Sequence, residues 1–153
     1  MPAGLDLSDL SKVRAAFLSD AEMGNLGELE SSFAERDNAL RRFTDNDELV
    51  LWFEWDLYDQ LQLIQVLDFL SQYSSDHVAE TATRISLVSL AGYLGMLPLD
   101  AFEPLFGART EVSAAMLSAG RDAWAAFRSG DPRLVERHAK TTSRIKDWHV
   151  LLM

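Results

Sequence analysis

Residues 47–70 read DELVLWFEWDLYDQLQLIQVLDFL, and this stretch decides the expected fold. Its first part, near 48–53, is a short apolar run between acidic residues, which predicts a strand buried on both faces. Apolar residues then recur at helical spacing over about 57–73, with Asp56 in position to cap the first turn. The stretch therefore predicts a strand that is followed at once by an amphipathic helix.

A second strand is predicted near 85–90, where the chain reads ISLVSL. A strand, a helix and a strand in succession form a βαβ unit, whose two strands run parallel. Helical patterns fill the C-terminal half, over about 99–106, 111–128 and 132–140, with Thr110 expected to cap the second of them. We therefore expect a single α/β domain over 1–153, with a small, mostly parallel sheet that contains a βαβ unit, followed by a helical half.

Two helices are also expected before the first strand, over about 9–19 with Ser8 as its cap, and over about 27–43. The apolar stripe of the second is interrupted at Arg36 and Asp37. A half-buried Asp is costly unless it is paired, so one interpretation is an ion pair within the protein. The other is that Arg36 reaches an anionic ligand near the strand ends.

Composition restricts the chemistry and the partners. The 153 residues include no cysteine, which excludes disulfides, thiolate catalysis and cysteine-ligated zinc. The formal net charge of −10 disfavours duplex nucleic acid and anionic membranes, because binding to either needs basic residues that neutralise phosphates. No apolar run approaches the roughly 20 residues of a spanning helix, and the first residues lack a signal-peptide pattern. We therefore expect a cytoplasmic protein without a membrane partner.

The stretch 47–70 is similar to the most recognisable segment of a bacterial family labelled domain of unknown function 1835. Three further segments resemble that family, namely ERDNAL (35–40), ISLVSLAGYLG (85–95) and AGRDAWAAFRSGDPRLVE (119–136). The resemblance covers about residues 2–137 and implies no activity, since the family has none assigned. It implies that the chain is N-terminally truncated, without the strand, Gly-Asp-Ser turn and helix of other members. Trp55 stands where they commonly carry a histidine.

Acidic side chains follow the first predicted strand. Glu54, Asp56 and Asp59 lie there with Tyr58, and ligands of parallel sheets bind outside the carboxyl ends of the strands. Three carboxylates can hold Mg²⁺, and a Glu beside another carboxylate can act as a base. The alternative is that Asp56 and Asp59 only cap the following helix, as in a capping box.

Gly92, Tyr93 and Gly95 follow the second predicted strand and are further ligand-binding candidates. Glycines at this spacing allow a ligand to approach the backbone, and a turn that needs positive φ explains them equally well. Nucleotide-binding glycine motifs are missing from the sequence. The histidines, which are His77, His138 and His149, lack the spacing of metal ligands, so no metal site is assigned to them.

Two functions fit these residues. The favoured one is a non-catalytic or regulatory interaction module, with a second copy or another protein as partner, because a truncated sheet exposes an edge that invites pairing. The alternative is a small-ligand, nucleotide or metal-dependent enzyme domain. It predicts that Glu54, Asp56, Arg36 and the Gly92–Gly95 turn meet in one cleft at the strand ends. The sequence identifies no cofactor and does not decide between the two.

Overall fold

The computed structural model describes residues 4–77, 83–90 and 92–142. The chain divides into two compact units, Met1–Asn46 and Asp47–Met153. Among the described residues, the first unit contains two α-helices, and the second contains a three-stranded sheet and four α-helices. The expected α/β class is therefore confirmed, and the expected helical C-terminal half is confirmed in part, because a short strand also lies within it.

The first unit is a pair of packed helices, α1 over Leu7–Asp20 and α2 over Leu26–Arg41. Asp6, rather than Ser8, caps α1, because the Asp6 carboxylate accepts a first-turn N–H at 2.8 Å. Asn25 caps α2 in the same way. Both caps bind amide groups that have no partner inside the helix, so each helix begins one to two residues earlier than the apolar pattern predicts.

The second unit begins with β1 over Glu48–Glu54, followed by α3 over Leu57–His77 and β2 over Arg84–Leu90. The two strands pair in parallel, so the βαβ unit is confirmed. The burial predicted for β1 is wrong, since only Leu51 is fully buried and the other six residues are half-buried. The reason is that β1 stands at the end of the described sheet, where it pairs on one side alone.

The sheet is mixed, and the prediction of a mostly parallel sheet is wrong. A two-residue strand, β3 over Thr110–Glu111, pairs antiparallel with β2 on the side away from β1. Thr110 therefore belongs to the sheet and does not cap the helix predicted over 111–128. The helix α5 spans Ala114–Arg128, and Ser113 caps it by accepting a first-turn N–H at 3.2 Å.

The helices of the C-terminal half enclose the core of this unit. Between β2 and β3 lies α4 over Phe102–Gly107, which a 3₁₀ turn over Leu99–Ala101 precedes, and α6 over Pro132–Thr142 follows α5. α3 packs along α5. Most of the buried apolar side chains come from β1, β2, α3 and α5. They include Leu51, Leu63, Leu67, Leu70, Leu87, Val88, Met116, Leu117 and Trp124.

Glu48 ties the strands together at the amino end of β1. Its carboxylate accepts hydrogen bonds from Nε and Nη2 of Arg109, at 2.8 Å and 3.1 Å, and from the Ser86 hydroxyl at 2.6 Å. These hydrogen bonds lower the pKa of Glu48 from 4.5 to about 2, and the bond to Arg109 has the largest effect. The charged carboxylate is therefore held more strongly than the protonated one.

We expect acid to weaken the second unit through Glu48. A carboxyl whose pKa is lowered by folding stabilises the folded state above its unfolded pKa, and this contribution disappears as the pH falls from 4.5 towards about 2. Arg109→Met should lower the Tm at about pH 5, and the difference from wild type should shrink towards about pH 2. Circular dichroism melts across this range measure it. Arg121→Met, which removes an exposed ion pair, is the control, and a constant Arg109→Met difference would contradict the assignment.

A close approach between α3 and α5 gives a second prediction. A Cβ atom on Gly120 would lie 2.4 Å from the Cβ of Leu67. Gly120→Ala should therefore lower the free energy of unfolding by about 1–3 kcal/mol, because overpacking outweighs the better helix propensity of alanine. Urea denaturation measures the change. Gly107→Ala, with nothing within 4 Å of its Cβ, is the matched control, and equal stabilities of the two variants would refute the close contact.

Candidate functional site

Three carboxylates meet where β1 ends and α3 begins. Glu54 is the last residue of β1, Asp56 precedes α3, and Asp59 lies in its first turn. One potential ligand atom from each of them lies within 4.8 Å of the others. We refer to these three residues as the carboxylate cluster. It stands at the carboxyl end of the parallel strands, which is where the sequence analysis places a candidate site.

Each member of the carboxylate cluster accepts a backbone N–H. Asp56 Oδ1 accepts the N–H groups of Tyr58 at 2.8 Å and of Asp59 at 3.2 Å, so Asp56 caps α3. Asp59 Oδ2 accepts the N–H of Glu54 at 2.7 Å, two residues further back than a capping box reaches. Glu54 Oε1 accepts the N–H of Leu94 at 2.7 Å. The cluster therefore ties together the end of β1, the start of α3 and the segment after β2.

The segment after β2 turns without a strained backbone. Tyr93 is extended and leads into a 3₁₀ turn over Leu94–Met96. Neither Gly92 nor Gly95 has a positive φ, and a Cβ on either would have no neighbour within 4 Å. The explanation of these glycines by a positive-φ turn is therefore wrong, because the 3₁₀ turn reverses the chain in ordinary backbone conformations.

Gln60 adds a buried polar group beside the end of β1. Its side-chain Nε2 donates to the carbonyl oxygen of Glu54 at 2.6 Å, and the residue is only 7% exposed. The amide oxygen, Oε1, is buried and has no hydrogen-bond partner among the described residues. Gln60 fixes the backbone of Glu54 from inside the protein, while Leu94 fixes its carboxylate from the next segment.

The charge of the carboxylate cluster is not balanced nearby. Among the side chains that the structure describes, no Lys, Arg or His forms an ion pair with any of the three carboxylates. Each carboxylate also keeps one oxygen that accepts no hydrogen bond from the described residues, namely Glu54 Oε2, Asp56 Oδ2 and Asp59 Oδ1. Like charges this close repel one another, so a cation from outside the chain would be attracted.

Large apolar side chains are exposed on both segments that the carboxylate cluster joins. They are between 53% and 90% exposed, and we refer to them as the strand-end patch: Trp55, Leu57, Tyr58, Tyr93, Met96 and Leu99. Trp55 follows Glu54 along the chain, and Tyr93 precedes Leu94. The Glu54–Leu94 hydrogen bond therefore brings the two halves of the patch to the same edge of the sheet.

Sequence reasoning singled out Tyr58 and Tyr93 but not the full patch. Trp55, Leu57, Met96 and Leu99 were missed, because an apolar residue beside a strand, at the start of a helix or in a turn is usually assigned to the core. The position of Leu57 in the helix could have identified it as exposed. Leu57 occupies the first position of α3, ahead of the buried stripe that begins at Leu63.

Arg36 and Asp37 lie on α2 in the first unit, where they bond to each other. Arg36 Nε and Nη2 donate to Asp37 Oδ1 at 3.1 Å and 2.7 Å, and the Ser11 hydroxyl donates to Oδ2 at 2.7 Å. Asp37 is 2% exposed. Burial lowers the pKa of the neighbouring Arg14, and repulsion from Arg36 adds to this effect. The interruption of the apolar stripe is therefore an ion pair within α2 whose carboxylate is buried, and the Ser11 hydroxyl links that carboxylate to α1.

The histidines add no ligand set. His138 lies on α6, and burial lowers its pKa. The side chain of His77 and all of His149 lie outside the described residues. Within residues 4–77, 83–90 and 92–142, the carboxylate cluster is the one group of three or more side chains with metal-ligand geometry.

The cap assigned to Asp56 gives a direct prediction. Asp56→Ala should lower the free energy of unfolding by about 1 kcal/mol, because the first turn of α3 loses its acceptor. Asp56→Asn keeps an acceptor oxygen and should stay within about 0.5 kcal/mol of wild type. Urea denaturation of the three proteins tests this. An equal loss in both variants would mean that the charge, and not the capping hydrogen bond, stabilises the helix start.

Comparison with known proteins adds no relative. The chain matches no protein-family model, no curated protein and no solved structure. The resemblance to domain of unknown function 1835 therefore stays a prediction. In the described residues, no helix is long and apolar enough to cross a membrane. The function is accordingly argued from the geometry at the strand ends.

Proposed function

We propose that this chain is a non-catalytic interaction module that binds a protein partner through the strand-end patch. The observation that carries the proposal is the exposure, between 53% and 90%, of six large apolar side chains at one edge of the sheet. Covering apolar surface contributes roughly 25 cal/mol per Å². Groups of large exposed apolar side chains mark interaction sites, and aromatic side chains carry much of the binding energy at such sites.

The hydrogen bonds of the carboxylate cluster support a preformed surface. Glu54 holds the segment after β2 through Leu94, and Asp56 and Asp59 hold the segment between β1 and α3. Loops that are fixed before binding lose less conformational entropy when a partner arrives. The same bonds give all three carboxylates a structural role, which favours the interaction module over an enzyme site.

A second candidate function is binding of a divalent cation by the carboxylate cluster. The observation that favours it is that one oxygen atom from each of the three carboxylates lies within 4.8 Å of the other two. Mg²⁺ and Ca²⁺ both bind carboxylate oxygens, and Mg²⁺ keeps several waters in its coordination shell. This candidate makes no use of the strand-end patch, so the two functions are separable by substitution.

The test is selection of a displayed random-peptide library on the immobilised wild-type chain. We expect binders whose affinity falls about tenfold or more in the double variant Tyr58→Ser/Met96→Ser, because both removed side chains belong to the patch. Phe17→Ser is the matched control, since Phe17 is an exposed aromatic residue of α1 and should leave the affinity unchanged. Binders that ignore the double variant, or a selection that yields none, would overturn the proposal.

Two measurements on the same proteins test whether the ligand is instead a second copy of this chain or a divalent cation. Size-exclusion chromatography that shows a dimer, lost in Tyr58→Ser/Met96→Ser, would identify the partner as a second copy. Isothermal titration with MgCl₂ or CaCl₂ that gives binding in wild type and none in Asp56→Asn would favour the cation site, because the cap survives in that variant.

A further inference from the structure

We propose that the strand-end patch recognises a basic, apolar segment of a partner protein, with a Lys or Arg side chain of that segment seated on the carboxylate cluster. The inference rests on the proposed function and adds the chemistry of the partner. It draws on two separate properties of the same edge, which are unbalanced negative charge and exposed apolar surface.

The charge of the carboxylate cluster selects a cation. Three carboxylate groups lie together, and no basic side chain of the described residues forms an ion pair with them. Three of their oxygens accept no hydrogen bond from the residues that the structure describes. An ammonium group offers three N–H donors and a guanidinium offers five, so either satisfies several of these acceptors at once.

The apolar residues select an organic cation that is carried on a protein segment. Trp55 and Leu57 flank Asp56, and Tyr58 is adjacent to Asp59. Aromatic faces attract Lys and Arg, and guanidinium groups also stack on them. The aliphatic stems of both side chains pack on apolar surface while the charged group stays outside. Apolar neighbours of the basic residue in the partner would cover the rest of the patch.

Other occupants use only part of this surface. An anionic partner, such as nucleic acid or an acidic lipid surface, has the same sign of charge as the carboxylate cluster. A two-fold dimer through the patch would bring together two chains that each carry a net charge of −10 and would bury both clusters in one interface. Six carboxylates would then share that interface. A metal ion would satisfy the charge but leave the apolar side chains exposed.

The net charge of the whole chain also favours a basic partner. A formal net charge of −10 attracts basic partners at a distance and speeds their association, and added salt weakens the effect. The patch then supplies short-range contacts that salt affects less. Recognition should therefore weaken with ionic strength through the carboxylate cluster and the net charge of the chain, and not through the apolar side chains.

The experiment uses the binders selected from the peptide library, labelled with fluorescein and measured by fluorescence anisotropy. We expect them to be enriched in Lys or Arg between apolar residues. Replacement of the basic residue by neutral citrulline or norleucine should weaken binding about tenfold. Asp56→Asn should weaken it about fivefold, because a partly exposed ion pair is lost while the helix cap is kept. Glu111→Gln, an exposed acid on β3, is the matched control and should bind as wild type does.

A double-mutant cycle shows whether the basic residue sits on the carboxylate cluster. The triple variant Glu54→Gln/Asp56→Asn/Asp59→Asn removes the charge but keeps one acceptor oxygen at each position, which is enough for the backbone hydrogen bonds. In that variant the citrulline or norleucine peptide should bind almost as well as its basic parent, because the pair that it disrupts is already absent. The parent peptide should also depend less on NaCl concentration, because three negative charges at its binding site are gone.

The outcomes distinguish this inference from the proposed function. Binders that are neutral or acidic, or that tolerate loss of the basic residue, would overturn the basic partner. If such binders still fail on Tyr58→Ser/Met96→Ser, the interaction module stands with another partner chemistry. If neither the charge variants nor the double variant weakens binding, both proposals fall. Mg²⁺ binding to wild type that is lost in Asp56→Asn, with a peptide affinity that neither MgCl₂ nor the charge variants change, would assign the carboxylate cluster to a metal and overturn the basic partner.

Discussion

Parallel pairing of β1 with β2 runs over seven residue pairs, from Glu48 opposite Arg84 to Glu54 opposite Leu90. Because the strands run in the same direction, both amino ends lie at one edge of the sheet and both carboxyl ends at the other. The helix α3 must cross between the strands, and it brings its own first turn to the carboxyl edge. The carboxylate cluster and the strand-end patch exist at that edge because of this register.

The two ends of β1 carry the same residue type in opposite electrostatic settings. Glu48 is neutralised by Arg109 and is bound by the Ser86 hydroxyl, so its charge serves the fold. Among the described residues, the Glu54 carboxylate is bound by a backbone N–H alone, which satisfies one oxygen and leaves the charge without a basic partner. The carboxylate at the amino end of β1 therefore has a basic partner, and no described side chain supplies one to the carboxylate at the carboxyl end. This difference is the reason why we assign Glu48 a role in stability and propose partner binding at the end of the sheet that carries Glu54.

The sequence predicted the βαβ unit because residues 47–70 switch from a continuous apolar run to helical periodicity, and both signals are local. It missed β3 because a two-residue strand has no periodicity and forms only where β2 offers a free edge. It misplaced two helix caps because Asp6 and Ser8, or Thr110 and Ser113, are equally competent by residue type. The site residues at the strand ends were identifiable, but their exposed apolar neighbours were not, since exposure depends on the tertiary fold.

The hydrogen bond from Leu94 to Glu54 spans forty positions of the chain. The two halves of the strand-end patch are therefore distant in sequence and are brought together by the pairing of β1 with β2. Closing a loop of this length costs conformational entropy, so an unfolded chain rarely holds the two segments together. A nascent or unfolded chain consequently presents two unrelated apolar segments and not the assembled surface. Any partner that reads the whole surface would thereby distinguish completed molecules from unfinished ones.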